Sequence, residues 1–568
     1  MTLLTPPPLR CNGPRHRAVS ALLLSLAALW ACGGTSREPA VPNLTQSPDA
    51  PPASARDNRL PPAPSAVPRA PADCALHGGA LEPLDVEACP GPGPSFRQAL
   101  VAALTLDEPR RRDKALLALE ACPRDAAAIR ALRAELAPEG CADVLVEPWL
   151  AAWDDPARDP ELHSALAGLA LAARLHRLVR EPPNLTPPFD EAAFREFLET
   201  TLSAWILEQA HAIHQTALLG AKLPGYGKGI VAVSAGLADL RFVDVVREIP
   251  LPESLAADPE LRDEYQLALE QSLEARVVRG RDAALVGLRK FADEGILVDE
   301  RLSRARAMLS RLFSGHRIDA LDGLVFPPLP ELDESSPELW LAAHLPTFYA
   351  SRWLADLAPS APSALRALHE RGFPPAFLAE AESHALSPDA LHLVARAHTA
   401  LGQTYWRTES FDRASAVAAR IPSASPMQPE GALIRAVAAA LRGGPKDAAH
   451  MMLRGPFLPS SVGDVSALDA LAARDSSVAP YAAFDAALLL ALIPEATPTT
   501  EYWTDIARRF EHAAAQAPTA SLAAEAAARA GAALATAQAL QDRAEAPQEA
   551  APPSSGPAAA SDTAAPTP

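Results

Sequence analysis

Apolar residues recur along most of this chain at steps of three and four, the spacing of one helix face. Between 226 and 240, Tyr226, Ile230, Val233, Leu237 and Leu240 fall at steps of four, three, four and three, predicting a helix with a single apolar face. Similar patterns predict two or more helices over 95–121, and further helices over 124–136, 160–179, 190–220, 258–278, 280–293 and 298–313. Asp190 stands where the 190–220 helix needs a cap for its first free N–H groups, and Gly220 stands where it would stop. No convincing run of alternating apolar and polar residues interrupts the pattern. The fold class expected for the body is all-α.

The helical pattern gives out at both ends. Residues 18–31, "AVSALLLSLAALWA", are a continuous apolar run of 14 residues, preceded by the basic stretch "RCNGPRHR" at 10–17. That length is short for a membrane span and suits an export signal, so residues 1–31 are read as a signal peptide. Residues 32–72 are read as a disordered tether: ten prolines fall between 33 and 72, with Ser, Ala and scattered charge. Such a chain stays extended, at up to ~3.1 Å per residue. Residues 544–568, rich in Ala and Pro, are expected to be a disordered tail.

Composition sharpens the helical reading. The chain has 568 residues, 49% of them hydrophobic and only 5% aromatic, so its cores must be built from alanine and leucine, the strongest helix formers. The length exceeds one compact core. The divisions expected are a disulfide-bearing helical subdomain at 73–156, a helical middle domain at 157–330 and helical repeats at 331–543. The formal net charge is −18, and because residues 1–31 carry three arginines and no acid, the remainder stands at −21. With no basic stripe, this excludes nucleic acid as a partner and argues against anionic lipid held by the body.

Beyond Cys32 the cysteines are Cys74, Cys89, Cys122 and Cys141, with none in the last 427 residues. An even set in an exported chain reads as two disulfides in one N-terminal unit. Four cysteines allow three pairings; the locally closed loops Cys74–Cys89 and Cys122–Cys141 are favoured, and the other two pairings stay open. No CxxC or CxxCH supports zinc or covalent haem.

Two stretches carry resemblances. Leu29-Trp30-Ala31-Cys32 resembles the lipobox of bacterial lipoproteins. The resemblance implies cleavage before Cys32, lipidation of Cys32 (palmitate among its acyl chains), and, with Gly33 following, an outer-membrane lipoprotein facing the periplasm. Several acyl chains anchor firmly because each buried CH₂ contributes about 0.8 kcal/mol. The stretch "LHLVARAHTALGQTYWRTESFDRASAVAARIPSASP" (391–426) resembles a tetratricopeptide repeat, with Leu401, Gly402, Tyr405, Phe411, Ala414 and Pro426 at signature positions. Ala448 lies one 34-residue period after Ala414, and Ile506, Phe510, Ala513 and Pro518 repeat the second-helix spacing. Pro422 departs from the pattern and predicts an early stop of the second helix. The resemblance spans about 360–542 and implies TPR-like helical hairpins stacked as an α-solenoid.

No catalytic, cofactor-binding or metal-ligating residue is nominated, and the chain is not expected to be an enzyme. "LPGYGKGI" (223–230) fails as a phosphate loop, which would need glycine at 222 and Ser/Thr at 229 where the chain has Lys222 and Gly229. It reads as a flexible turn before a helix, with Lys228 as a weak anion-site candidate. In "AVSAG" the helical spacing runs through Ser234, so a nucleophile elbow is rejected. Glu208, His211 and His214 share a helix face but lack the second ExxH of a di-iron site, and read as solvated. His384, His392 and His398 show no ligand spacing. Trp149 and Trp153, and Trp340, Phe348, Tyr349 and Trp353, form two aromatic clusters expected to be core anchors. The function expected is a lipid-anchored scaffold for cell-envelope proteins of assembly, secretion, pilus or motility machinery. The alternatives are ligand or glycan capture and a periplasmic enzyme without recognisable motifs.

Overall fold

The computed structural model describes residues 60–77, 94–122, 125–153, 159–185, 190–251, 256–312, 320–354, 357–441, 465–492 and 497–545. Cys32 and the apolar run before it, most of the expected tether, Cys89, Ala448 and the C-terminal tail lie outside them. The described residues are all-α, built of packed helical hairpins; their one β contact is an isolated bridge between Ile296 and Gly372. Among them, no helix is long and apolar enough to cross a membrane. They group into two compact units, within 1–323 with 328–459 and within 324–327 with 460–568. The divisions expected at 156/157 and 330/331 both fall inside the first unit.

The first unit opens with α1 (Pro94–Leu104), α2 (Pro109–Glu120), α3 (Ala126–Leu136), α4 (Ala142–Ala151) and α5 (Pro160–Arg177). Next, α6 (Glu191–Glu196) runs through a π turn (Phe197–Leu202) into α7 (Ser203–Ala221). Asp190 caps α6 as expected, its Oδ1 accepting from the Ala193 N–H at 2.8 Å. Then come α8 (Gly225–Arg247), α9 (Pro259–Asp293) and α10 (Glu300–Leu312).

Helix α8 is the centre of this unit, packed against α5, α7, α9 and α10. It is buried nearly all round, not on the single face that the apolar spacing predicts. Glycine is the reason. An added Cβ at Gly236 would stand 2.6 Å from the Gly280 carbonyl oxygen of α9, and one at Gly168 of α5 would stand 2.7 Å from the Gly227 Cα. Backbones thus meet directly, and even the small-residue faces of α8 are covered. Two expectations change accordingly. The helices expected at 258–278 and 280–293 are one helix, because Gly280 serves close approach and does not break the chain. Gly225, Gly227 and Gly229 all lie in α8, and only Gly225, its first residue, has a positive φ, +47°.

The first unit continues through α11 (Pro337–His344), α12 (Thr347–Trp353), α13 (Pro362–Leu368), α14 (Pro375–Ser383), α15 (Pro388–Tyr405), α16 (Thr408–Ala418) and α17 (Gln428–Leu441). α15, α16 and α17 pack in sequence. Gly402 makes room for the Phe411 ring, whose nearest atom would lie 2.9 Å from an added Cβ, and Ala414 is fully buried. α16 stops at Ala418, before Pro422, as that proline predicts. Phe348, Tyr349 and Trp353 are buried, with Phe348 stacked on Tyr226 at 4.7 Å, whereas Trp149, Trp153 and Trp340 are half-buried.

The segment 60–77 corrects two expectations. Its residues Leu60, Ala66 and Val67 pack on a core that includes Leu171, Phe194 and Phe242, so the last dozen residues of the expected tether belong to the body. Cys74 is bonded to Cys141, with Cα atoms 5.2 Å apart, and Cys122 is disulfide-bonded elsewhere. Neither favoured local pair forms. Loop closure favours the short pairs, but tertiary packing decides: Cys141 caps α4, and Arg177 ties that corner to Asp143 (2.8 Å) and to the Pro68 carbonyl (2.9 Å). The segment carrying Cys74 is thereby laid on Cys141.

The second unit holds α18 (Ser466–Ala472), α19 (Ala479–Leu492), α20 (Thr500–Gln516) and α21 (Ala520–Glu545), each packed on the next. Ile506, Phe510 and Ala513 are buried in α20, the face their spacing predicts. The Val325 N–H donates to Asp485 Oδ1 at 2.8 Å, holding 324–327 in this unit.

Candidate functional site

Of α8's residues between 231 and 243, those left half-buried are Ala232, Ser234, Leu237 and Arg241. Ser234, Leu237 and Arg241 stand at steps of three and four, one stripe that opens into a cleft of about 380 Å³. The α3–α4 corner forms one wall and α5 another. The third side is fixed by the 296/372 bridge: the Leu297 N–H donates to the Arg371 carbonyl at 2.8 Å, and the Phe373 N–H to the Gly295 carbonyl at 2.8 Å. Both glycines are needed there. Gly295 has φ +71° and Gly372 φ +145°, and a Cβ on either would overlap the opposite backbone. The bridge sets Val298, Asp299 and Arg301 beside Arg371 at the cleft.

The floor is a buried polar cluster. Tyr226 and Tyr349 each donate from Oη to Glu135 Oε2 at 3.2 Å, and Arg301 pairs with Glu135 and, at 2.9 Å, with Asp299. Burial pushes the Glu135 carboxyl up, an effect Arg301 opposes. Burial also raises Asp299, but Arg301 and two backbone N–H groups outweigh it and hold that carboxyl low. The Tyr226 and Tyr349 hydroxyls are pushed well up by burial, so they stay protonated donors. Every member has a partner, as a buried polar cluster requires.

Above the floor the charges are less evenly matched. Glu139 contacts His176 Nδ1 at 2.9 Å and Arg304 Nη1 at 2.9 Å, and these partners hold its carboxyl far below the usual range. Arg304 also reaches Glu300 at 2.7 Å. Arg241 has no carboxylate partner among the described residues. Its Nη1 donates to the His176 and Leu178 carbonyls, at 3.1 and 3.0 Å, closing the C-terminal end of α5. The neighbouring Val179 is held at φ +60°, rare for a β-branched residue, while its N–H donates to Gln209 Oε1 at 2.9 Å. Burial, aided by Arg180 and Arg304 and opposed by the Glu139 carboxylate, lowers the Arg241 guanidinium to about 10. Arg371, half-buried, likewise makes no side-chain hydrogen bond or ion pair among the described residues.

No family model, curated protein or solved structure matches this chain.

Of the residues singled out in the sequence, Ser234 and Leu237 line the cleft and Tyr226 and Tyr349 reach its floor; the others lie elsewhere. Ser234 sits within α8, so no elbow exists there. Lys228 is half-buried and pushed down by burial and by Lys290, and a Cβ on Gly225 would meet Glu294 Oε1 at 2.9 Å, so a carboxylate already occupies that helix start. Glu208, His211 and His214 are exposed on α7, and no group of three or more His, Cys, Asp or Glu residues suited to a metal occurs among the described residues. His398 Nε2 pairs with Glu382 at 2.6 Å and His392 with Glu430 at 2.8 Å, while His384 is exposed. Glu135, Arg241, Asp299, Arg301 and Arg371 form the cleft although the sequence gives no pattern linking them. One faint signal exists: Arg241 follows Leu237 by four, an arginine on an otherwise apolar helix stripe.

Proposed function

We propose that this chain is a lipoprotein of the bacterial cell envelope, anchored through Cys32, whose helical hairpins hold partner proteins. The observation that carries the anchoring is the sequence Leu29-Trp30-Ala31-Cys32 at the end of a 14-residue apolar run behind a basic stretch. The proline-rich residues after Cys32 supply reach from the membrane. Packed hairpins such as α15–α17 and α18–α21 support the holding role, because stacked hairpins of the TPR type present extended surfaces to peptides and proteins. The outer membrane, facing the periplasm, is the proposed location, and no catalytic role is assigned.

The test is substitution of the anchor. Cys32→Ala should abolish incorporation of labelled palmitate and move the protein out of the lipoprotein fraction of the membrane. Unchanged labelling overturns the anchoring. Crosslinking in whole envelopes tests the holding role, and recovery of the chain without a protein partner overturns it. The cleft beside α8 favours a second reading, capture of a small ligand, in a lipoprotein of the same anchoring.

A further inference from the structure

We infer that the cleft beside α8 binds a small amphiphilic carboxylate, its oxyanion held by Arg241 and Arg371 and its aliphatic part laid along Leu136, Leu237 and Val298. The first support is unmatched cation. Of the four arginines lining the cleft, Arg301 is answered by Glu135 and Asp299, and Arg304 by Glu139 and Glu300. Arg241 and Arg371 have no carboxylate partner among the described residues, in a chain whose 69 acidic residues outnumber its 51 basic ones. Arg241 uses only Nη1 on protein acceptors, and the two α5 carbonyls fix its plane. Glu139 acts on Arg241 only through space, so a half-buried guanidinium here lacks a direct carboxylate contact, and a carboxylate on its planar fork would supply one.

The second support is exposed apolar surface in the same place. Leu136 is 37% exposed and Val298 48% exposed, two of the few large apolar side chains left open among the described residues, and both line this cleft. Leu169, Ala172 and Ala173 continue the apolar wall. Unmatched cation beside aliphatic surface fits a carboxylate on an aliphatic body. A multiply charged phosphate gains nothing from the wall and would meet Glu139 and Glu300 with its further charges. The volume, about 380 Å³, lies within the range of small-molecule sites, roughly 300–1,000 Å³. Occupancy of the cleft does not depend on what the hairpins hold.

Equilibrium dialysis of radiolabelled hexanoate against the full-length chain in neutral detergent micelles tests this, with variants in the same micelles correcting for partition. The expected result is saturable binding at one site per chain, undiminished by excess hexanamide. Arg371→Gln should weaken it about tenfold, as should Arg241→Gln, the loss typical of a charge-assisted hydrogen bond. Val298→Glu should abolish it. Because Arg371 makes no side-chain bond among the described residues and Val298 is exposed, those two variants keep the test decisive even if Arg241→Gln fails to fold. Equal uptake by wild type, Arg371→Gln and Val298→Glu overturns the inference, as does equal competition by hexanamide. Displacement by N-acetylleucine points to a peptide C-terminus as the source of the carboxylate, and displacement by decanoate to a free acyl chain. Displacement by neither overturns it.

Discussion

His369 meets the Phe373 ring edge-on, with centroids 4.7 Å apart, and its Nε2 lies 3.1 Å from the Leu393 carbonyl. Burial, helped by Arg396 and Arg366, pushes its pKa down to about 3. The unfolded side chain titrates near 6.5, so between those values the unfolded state binds more protons than the folded state. Stability from this group is therefore present above pH 6.5 and falls as the pH drops toward 3. The window from 6.5 to 4.5 isolates it from ordinary carboxylates. Denaturant midpoints measured across that window should decline in the wild type and decline less in His369→Gln, which keeps a donor for the carbonyl without titrating. Parallel slopes would sink the assignment. At this scale the sequence is nearly silent. Neither His369 nor the cleft residues Glu135 and Arg371 carries a local mark, because their environments are assembled from positions 24 to 236 residues apart.

Elements were far more legible than residues. Period-three and period-four spacing marked the helices of 94–136, 160–177, 190–221 and 225–247, since burial of one face imposes that rhythm whatever lies opposite. What it missed was glycine inside helices. Gly280 resembles a helix stop in the sequence, yet in the fold it lets α9 lie directly on α8. Glycine positions in this chain therefore split into two kinds with opposite responses. Gly236→Ala should destabilise the first unit by about 1–3 kcal/mol, because its Cβ would press on backbone that cannot rotate away. Gly531→Ala, in α21 with nothing within 4 Å of its Cβ, should stabilise the second unit by roughly 0.5–1 kcal/mol through helix propensity alone. Urea unfolding of the three proteins checks both signs, and a shared sign would contradict the packing described for α8.

For the whole molecule, the all-α class follows from composition and periodicity together, but the grouping into two units does not. The sequence divides where patterning weakens, near 156 and 330, whereas the fold divides near 460; within the first unit α8 and its glycines gather the helices from 160 to 312 around one axis. Disulfide pairing is also a property of this scale. Peptide mapping without reductant should recover Cys74 joined to Cys141, and a second pair joining Cys122 to Cys89, the other cysteine of the chain beyond Cys32. Cys141→Ser should lower stability by about 2–4 kcal/mol, as expected for opening a loop of 67 residues. A drop of less than 1 kcal/mol would mean that the packing of 60–71 already holds the segment.

That segment also sets how the molecule carries load. A pull on the chain before Leu60 meets first the apolar seat of Leu60, Ala66 and Val67, then the Arg177–Pro68 bond, and only then Cys74. The noncovalent seat can peel away in small steps, whereas the covalent link beyond it cannot. Tension therefore enters the body at the Cys141 corner, between α3 and α4. Residues 60–73 act as a strap whose sewn stop is Cys74.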